Sequence, residues 1–453
     1  MILSLLIGLG AFLLLLIPGL AVSLTHSSDD LDDTSAQLSH VLLALGWGFG
    51  LVPYLAFTFV LFTRQPLTPW VVVACAVLVT IGAFGVWRFR QNRVVPSAFR
   101  SSWKQTRWVL LAAFGVALAY MLKYDRSVFF LESCIHRVVM QTLQLTENNI
   151  DILASNRDDQ RLGNTAVISS FVVLFRGLGF RVLYAFVGCS LALGGYLLGR
   201  RVFKGDRWGW FMLFALPLNP YVAKIPLLDE NILTLGFCSL FLPLMFRRKT
   251  PWVHVGLLFG LAIMMRHVSI LSGLAMLWAV WCYQGNRWRA FAWSFGAFTL
   301  VTLVGHIHHY VALGSVLKFE SHGQLNGHMF PHRFLGNYSG LMQWPFASDV
   351  IRTPWNPFPT FLMWPVYLAS HWGLVLFSAM LLGVVSFFRE HRRQAVFWLL
   401  WFGPPFLALS LQENWDVPNK MGVIYIIFHP IVLWVTAGLW VVVRKPKKWG
   451  IAL

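Results

Sequence analysis

The chain has 453 residues, of which 57% are hydrophobic and only 12% charged, and its mean hydropathy is +0.64. That much apolar surface excludes a string of water-soluble domains and defines an all-α polytopic membrane protein, each crossing needing about 20 apolar residues. The net charge of +18 would suggest nucleic acid in a soluble protein, but here the basic residues fall in short bursts between apolar runs, a topology signal that leaves no nucleic-acid partner.

The first apolar run, residues 2 to 24, lacks a basic leader and a cleavage site, so it reads as a span and not as a removed signal peptide. Twelve more runs follow near 40 to 62, 69 to 87, 108 to 122, 182 to 199, 208 to 222, 232 to 246, 252 to 265, 269 to 284, 290 to 312, 365 to 388, 394 to 411 and 421 to 443. The short pair around Arg266 reads equally as a tight hairpin that does not fully cross twice. Residues 1–87 form an N-terminal three-helix unit, 88–107 a basic cytoplasmic linker, and 108–453 the main module.

The bursts contain Arg88 to Arg107, Arg200 to Arg207, Arg247 to Lys249, Arg287 with Arg289, Arg389 to Arg393, and Arg444 to Lys448. Placing all six in the cytoplasm puts Met1 outside and the acidic stretch HSSDDLDD inside, which is tolerable because Asp and Glu weigh little in orientation. Thirteen crossings then leave the basic tail inside, as its charge requires. Two long segments, 123 to 181 and 313 to 364, fall on the outer face. The first carries broken helical periodicity and is expected to lay amphipathic helices along the membrane surface, TAVISSFVVLF among them. The second is rich in Trp, Pro, His and Gly, as suits an ordered loop at headgroup level.

Acids are scarce, so their positions matter. Asp229 and Glu230 in LNPYVAKIPLLDEN lie at the outer end of a short span, and Glu132 lies in the first outer segment. Together they would make one acidic site; singly, each reads as well as a solvated charge or a partner of Lys224. Arg266, in GLAIMMRHVSIL, is the sharper candidate, because an ionisable residue in an apolar stretch is functional by default, against the alternative of a snorkelling arginine. His306, His308 and His309 in HIHHY, with His322, His328 and His332, match no strong zinc spacing and read as interfacial polar groups. The five cysteines show neither a disulfide framework nor a metal motif.

From about Arg107 to Val443 the order of features resembles the C-type superfamily of integral membrane glycosyltransferases, especially its protein O-mannosyltransferase-like and aminoarabinose-transferase-like bacterial members. FLESCIHRVVMQTL is similar to the first acidic outer loop, LPLNPYVAKIPLLDEN to the second, GLAIMMRHVSIL to the short hairpin with a central Arg, and KMGVIYIIFHPIVLW to the closing span. Leu131 with Glu132 stands where the family has two acids, and Lys420 with Met421 where it has Arg-Tyr. The resemblance implies an enzyme of the bacterial inner membrane that takes a sugar from a polyprenyl-phosphate donor, on the outer face, to a glycan, lipid or protein acceptor.

In such chemistry a carboxylate at the membrane surface takes the acceptor proton and fixed cations hold the leaving phosphate. The resemblance assigns the first role to Glu132, with His136 beside it, and the second to Arg266, Lys420 and Lys224. Asp229 would orient the acceptor or help hold a divalent metal ion, with Glu230 adjacent. Two other classes compete: an O-antigen ligase or polymerase, whose main outer loop comes late in the chain, and a lipid-linked-sugar flippase, which would carry charges at mid-membrane depth and repeated halves.

Overall fold

The structure, a computed structural model, describes residues 2–25, 33–89, 103–127, 145–147, 162–219, 230–247, 249–313, 358–410 and 428–444. Among these every regular element is helical and no strand is present. Six stretches are long and apolar enough to cross a membrane: Thr34–Thr63, Pro69–Phe89, Gln105–Leu122, Leu178–Phe203, Arg287–Ile307 and Gly373–Glu390. This is the composition of a helical membrane protein.

The helices are α1 (Ile2–Ser23), α2 (Asp33–Gly46), α3 (Val52–Thr63), α4 (Pro69–Phe89), α5 (Trp103–Ser127), α6 (Leu162–Phe175) and α7 (Leu178–Phe203). They continue as α8 (Asp206–Ala215), α9 (Glu230–Met245), α10 (Trp252–Met265), α11 (Gly273–Tyr283), α12 (Arg287–Leu313), α13 (Phe358–Glu390), α14 (Arg392–Ser410) and α15 (Phe428–Arg444). Each of the thirteen apolar runs read from the sequence overlaps at least one of these helices. A π-helical turn, Trp47–Leu51, makes α2 and α3 one continuous rod.

The fold is organised around α7, which is enclosed by α1, α2, α5, α6, α8 and α9. Small residues let the neighbours approach: a Cβ at Gly194 would overlap the backbone of Ser239 on α9, and one at Gly195 the backbone of Met212 on α8. Gly188 receives the ring of Tyr120 from α5. Packing of this kind drives helix association in a bilayer, where lipid tails remove the hydrophobic incentive between helices. Outside, α4, α12 and α13 present Leu78, Ile81, Leu300, Leu374 and Val375 to the surroundings, the apolar face that lipid covers.

The described basic bursts gather at one end of the bundle. Arg200 Nη1 donates to Ser35 Oγ at 3.2 Å, and Arg201 Nη2 donates to Ser39 Oγ at 3.2 Å and Nη1 to the Pro243 carbonyl. Gln284 Nε2 donates to the Arg247 carbonyl at 3.0 Å, Trp278 Nε1 to the Arg393 carbonyl at 3.0 Å, and Trp208 packs edge-on against Trp440 at 4.8 Å. The opposite end carries the α3–α4 link, where Leu67 N donates to the Leu145 carbonyl at 2.9 Å, and the end of α5, where Tyr120 donates to the Pro217 carbonyl at 2.6 Å. Residues 145–147 of the first long segment therefore lie at the end away from the basic bursts.

Helix α6 departs from the surface position expected of it. From Leu162 to Phe171 it is buried on all faces, held by α3, α7 and α10. Its polar residues Asn164, Thr165, Ser169 and Ser170 are enclosed with the apolar ones, so no polar face is left to turn to headgroups.

Gly194→Leu is expected to push α9 off α7 and lower stability by about 1–3 kcal/mol, while Gly82→Leu, at a position with open space around it, stays near wild type. Thermal unfolding of the two variants in detergent measures the difference.

Candidate functional site

A polar neighbourhood away from the basic end is built where α6, α10 and α12 meet. Helix α10 runs from Trp252 to Met265, and its parallel neighbour α12 keeps register with it: Gly256 abuts Ser294, Gly260 abuts Phe298 and Val301, and Met264 abuts Gly305. Residues 287 to 306 of α12 rise about 28 Å, close to the thickness of a hydrocarbon core. The end of α10 thus reaches the level of His306, one membrane thickness from Arg287.

There α10 stops. Arg266 adopts an extended conformation, φ −147° and ψ 104°, and a 3-10 turn over His267–Ser272 leads into α11, which returns to the basic end. The hairpin expected around Arg266 is therefore formed by a helix, a tight turn and a shorter helix. Arg266 N closes α10 by donating to the Ala262 carbonyl at 2.9 Å. Its side chain is half-buried.

Two further polar residues, Asn164 and His306, each follow a glycine packed at this break. Gly163 of α6 lies against Met264 and Met265, and Gly305 of α12 lies against Met264 and Leu162, so Asn164, Arg266 and His306 each follow one packing point by one or two residues. Asn164 is 5% exposed and its Oδ1 has no hydrogen-bond partner; His306 Nδ1 and the hydroxyl of fully buried Ser269 are enclosed in the same state. An enclosed polar atom without a partner costs about 1–3 kcal/mol, and three of those in the described residues lie around this one helix break, where a polar ligand would satisfy them. A guanidinium, an amide and an imidazole suit a phosphate or a sugar hydroxyl.

Of the other candidates, Glu132, His136, Lys224, Asp229 and Lys420 lie outside the described residues, as do the side chains of His308 and His309. Glu230 opens α9 at the end opposite Pro243 and Arg201, but its side chain lies outside the described ones too. Among the described residues no three His, Cys, Asp or Glu side chains come together as metal ligands. Asn164 and Ser269 were not singled out from the sequence, although a lone Asn in the apolar run LGNTAVISSF was the available signal.

A second buried polar pair serves the scaffold. Ser239 Oγ lies 2.7 Å from His429 Nε2, joining α9 to α15, and also donates to the Leu235 carbonyl at 2.9 Å. Because the hydroxyl proton is committed to Leu235, the imidazole is the donor in the pair. Compared with protein-family models, curated proteins and solved structures, the chain matches none.

Two substitutions separate the site from the scaffold. Asn164→Leu removes an orphaned acceptor and is expected to leave the unfolding temperature in detergent unchanged or raise it, whereas Ser239→Val deprives His429 of its partner and is expected to cost about 1–3 kcal/mol.

Proposed function

We propose that the chain is a bacterial inner-membrane glycosyltransferase that moves a sugar from a polyprenyl-phosphate donor to an acceptor at the end of the bundle away from the basic bursts, the outer face. The observation that carries this reading is the position of Arg266: at a helix break, one membrane thickness from the basic end, beside Asn164 and His306. A prenyl phosphate keeps its tail in the bilayer and its phosphate at that depth.

In this reading the acceptor hydroxyl attacks the anomeric carbon, the bond from that carbon to the phosphate oxygen breaks, and the hydroxyl proton passes to Glu132. Charge on the departing phosphate grows as the bond breaks, so a fixed guanidinium in a water-poor site stabilises the transition state more than the ground state. Arg266 supplies it, with Lys224 and Lys420 as further cations, His136 next to the base, and Asp229 orienting the acceptor with Glu230 beside it. The same reading gives the chain thirteen crossings, with residues 313–364 outside and, apart from the enclosed α6, residues 123–181 as well.

The topology is tested by cysteines introduced at Glu147, Gly205 and His391. Impermeant maleimide added from outside is expected to label position 147 and to leave 205 and 391 untouched; labelling of 205 would remove the model of an outer-face site. For the chemistry, sugar transfer from a polyprenyl-phosphate donor in proteoliposomes is the assay. Glu132→Gln is expected to lower turnover by about 100-fold or more with folded protein unchanged. Arg266→Gln is expected to lower turnover by a similar factor, Asp229→Asn to impair transfer, and Glu230→Gln to matter less. Near-normal transfer by both Glu132→Gln and Arg266→Gln would defeat the assignment.

A further inference from the structure

On the side of the bundle away from α9, helices α1 and α5 both lean on α2 and α7 yet leave a gap between themselves. The gap is a groove of about 400 Å³. Buried Leu45, Ala185 and Cys189 form its floor, and exposed Leu13, Leu20 and Phe114 its rim, so it opens sideways to where lipid lies. Along α5 it extends from Arg107 to Met121, a rise of about 21 Å. That is longer than one leaflet's share of a hydrocarbon core of about 30 Å.

Every described residue lining the groove is apolar except Arg107, at the end where the basic bursts gather. Arg107 is exposed, and its guanidinium sits 5.3 Å from the ring centre of Trp108, itself 56% exposed. A Trp beside a cation is the side-chain pair of a headgroup layer. A slot with an apolar length and a cation at its mouth is complementary to a molecule with a hydrocarbon chain and an anionic head.

We propose that this groove holds one acyl chain of an anionic phospholipid from the leaflet at the basic end, with the lipid phosphate against Arg107. The lipid fills the gap between α1 and α5, and so braces α1 against the core. The groove stands independently of the transfer reaction, since its charged mouth at Arg107 lies at the end of the bundle opposite Arg266.

The test is lipid titration of the full-length, delipidated protein, followed by native mass spectrometry. Phosphatidylglycerol is expected to bind first and at one copy, at least tenfold tighter than phosphatidylcholine of the same chains. Arg107→Lys should keep that preference and Arg107→Gln reduce it below threefold; because the side chain is exposed, neither change threatens folding. Leu118→Trp, which fills the groove from a half-buried position, should lower binding of both lipids. Equal affinity for the two lipids, or a preference unchanged by Arg107→Gln, overturns the proposal. Displacement of phosphatidylglycerol by an equimolar polyprenyl phosphate also overturns it, by giving the groove to another occupant.

Discussion

The close approach of backbone to backbone along α7 is the constraint on which the rest depends. Gly194, Gly195 and Gly199 lie on one stretch of this helix, and a Cβ at any of them would collide with Ser239, Met212 or Trp208. In a bilayer such contacts substitute for the hydrophobic effect, because a leucine facing lipid is as satisfied as one facing another leucine. Much of what holds α8 and α9 to α7 is therefore dispersion across short distances, which small residues permit. The arrangement repeats at the periphery, where Gly383 and Gly438 bring α13 and α15 together, and Gly256 brings α10 to α12.

Polar cross-ties then fix register where packing alone would allow sliding. Arg200 links α7 to Ser35 of α2 and pairs with Asp206 at 2.7 Å, and Arg201 ties the same helix to Ser39 of α2 and to the carbonyl of Pro243 on α9. The Pro243 carbonyl is open to an outside donor because it lies in the last turn of α9, which ends at Met245, and carbonyls there have no intrahelical partner. On α3, Tyr54 donates to the Val301 carbonyl of α12 at 2.8 Å, and Trp47 Nε1 to His254 Nδ1 of α10 at 3.1 Å. Trp47 begins the π-helical turn, whose Gly48 and Gly50 admit Leu15, Phe237 and Leu261.

Hydropathy made the helices legible, because a run of apolar residues long enough to cross has no alternative to the helix in lipid. It located α10 to the residue, from Trp252 to Met265, and placed α12 within a few positions. It misplaced α6, since length and hydrophobicity are silent on whether a 14-residue apolar helix lies on the bundle or inside it. That is decided by partners distant in sequence, here Met264 and Gly305. For the same reason Arg266 was legible as a candidate and Asn164 was not. A guanidinium in an apolar run stands out alone, but an amide becomes notable only when its burial and its lack of a partner are seen.

The end of α10 also shows why a charged side chain is tolerable there. A helix of 14 residues spans about 21 Å, too short to cross a core of about 30 Å from interface to interface. Because α10 starts about one turn above Arg287, it ends near the far boundary of the hydrocarbon instead of in its centre. Broken helical backbone within a membrane must be enclosed by protein or reached by water, as its freed carbonyls and amides have no intrahelical partners. Placing the break at the boundary, behind α6 and α12, meets both conditions with one device. The extended Arg266 ends this apolar helix, and the shortness of α10, not any property of the arginine, sets its depth.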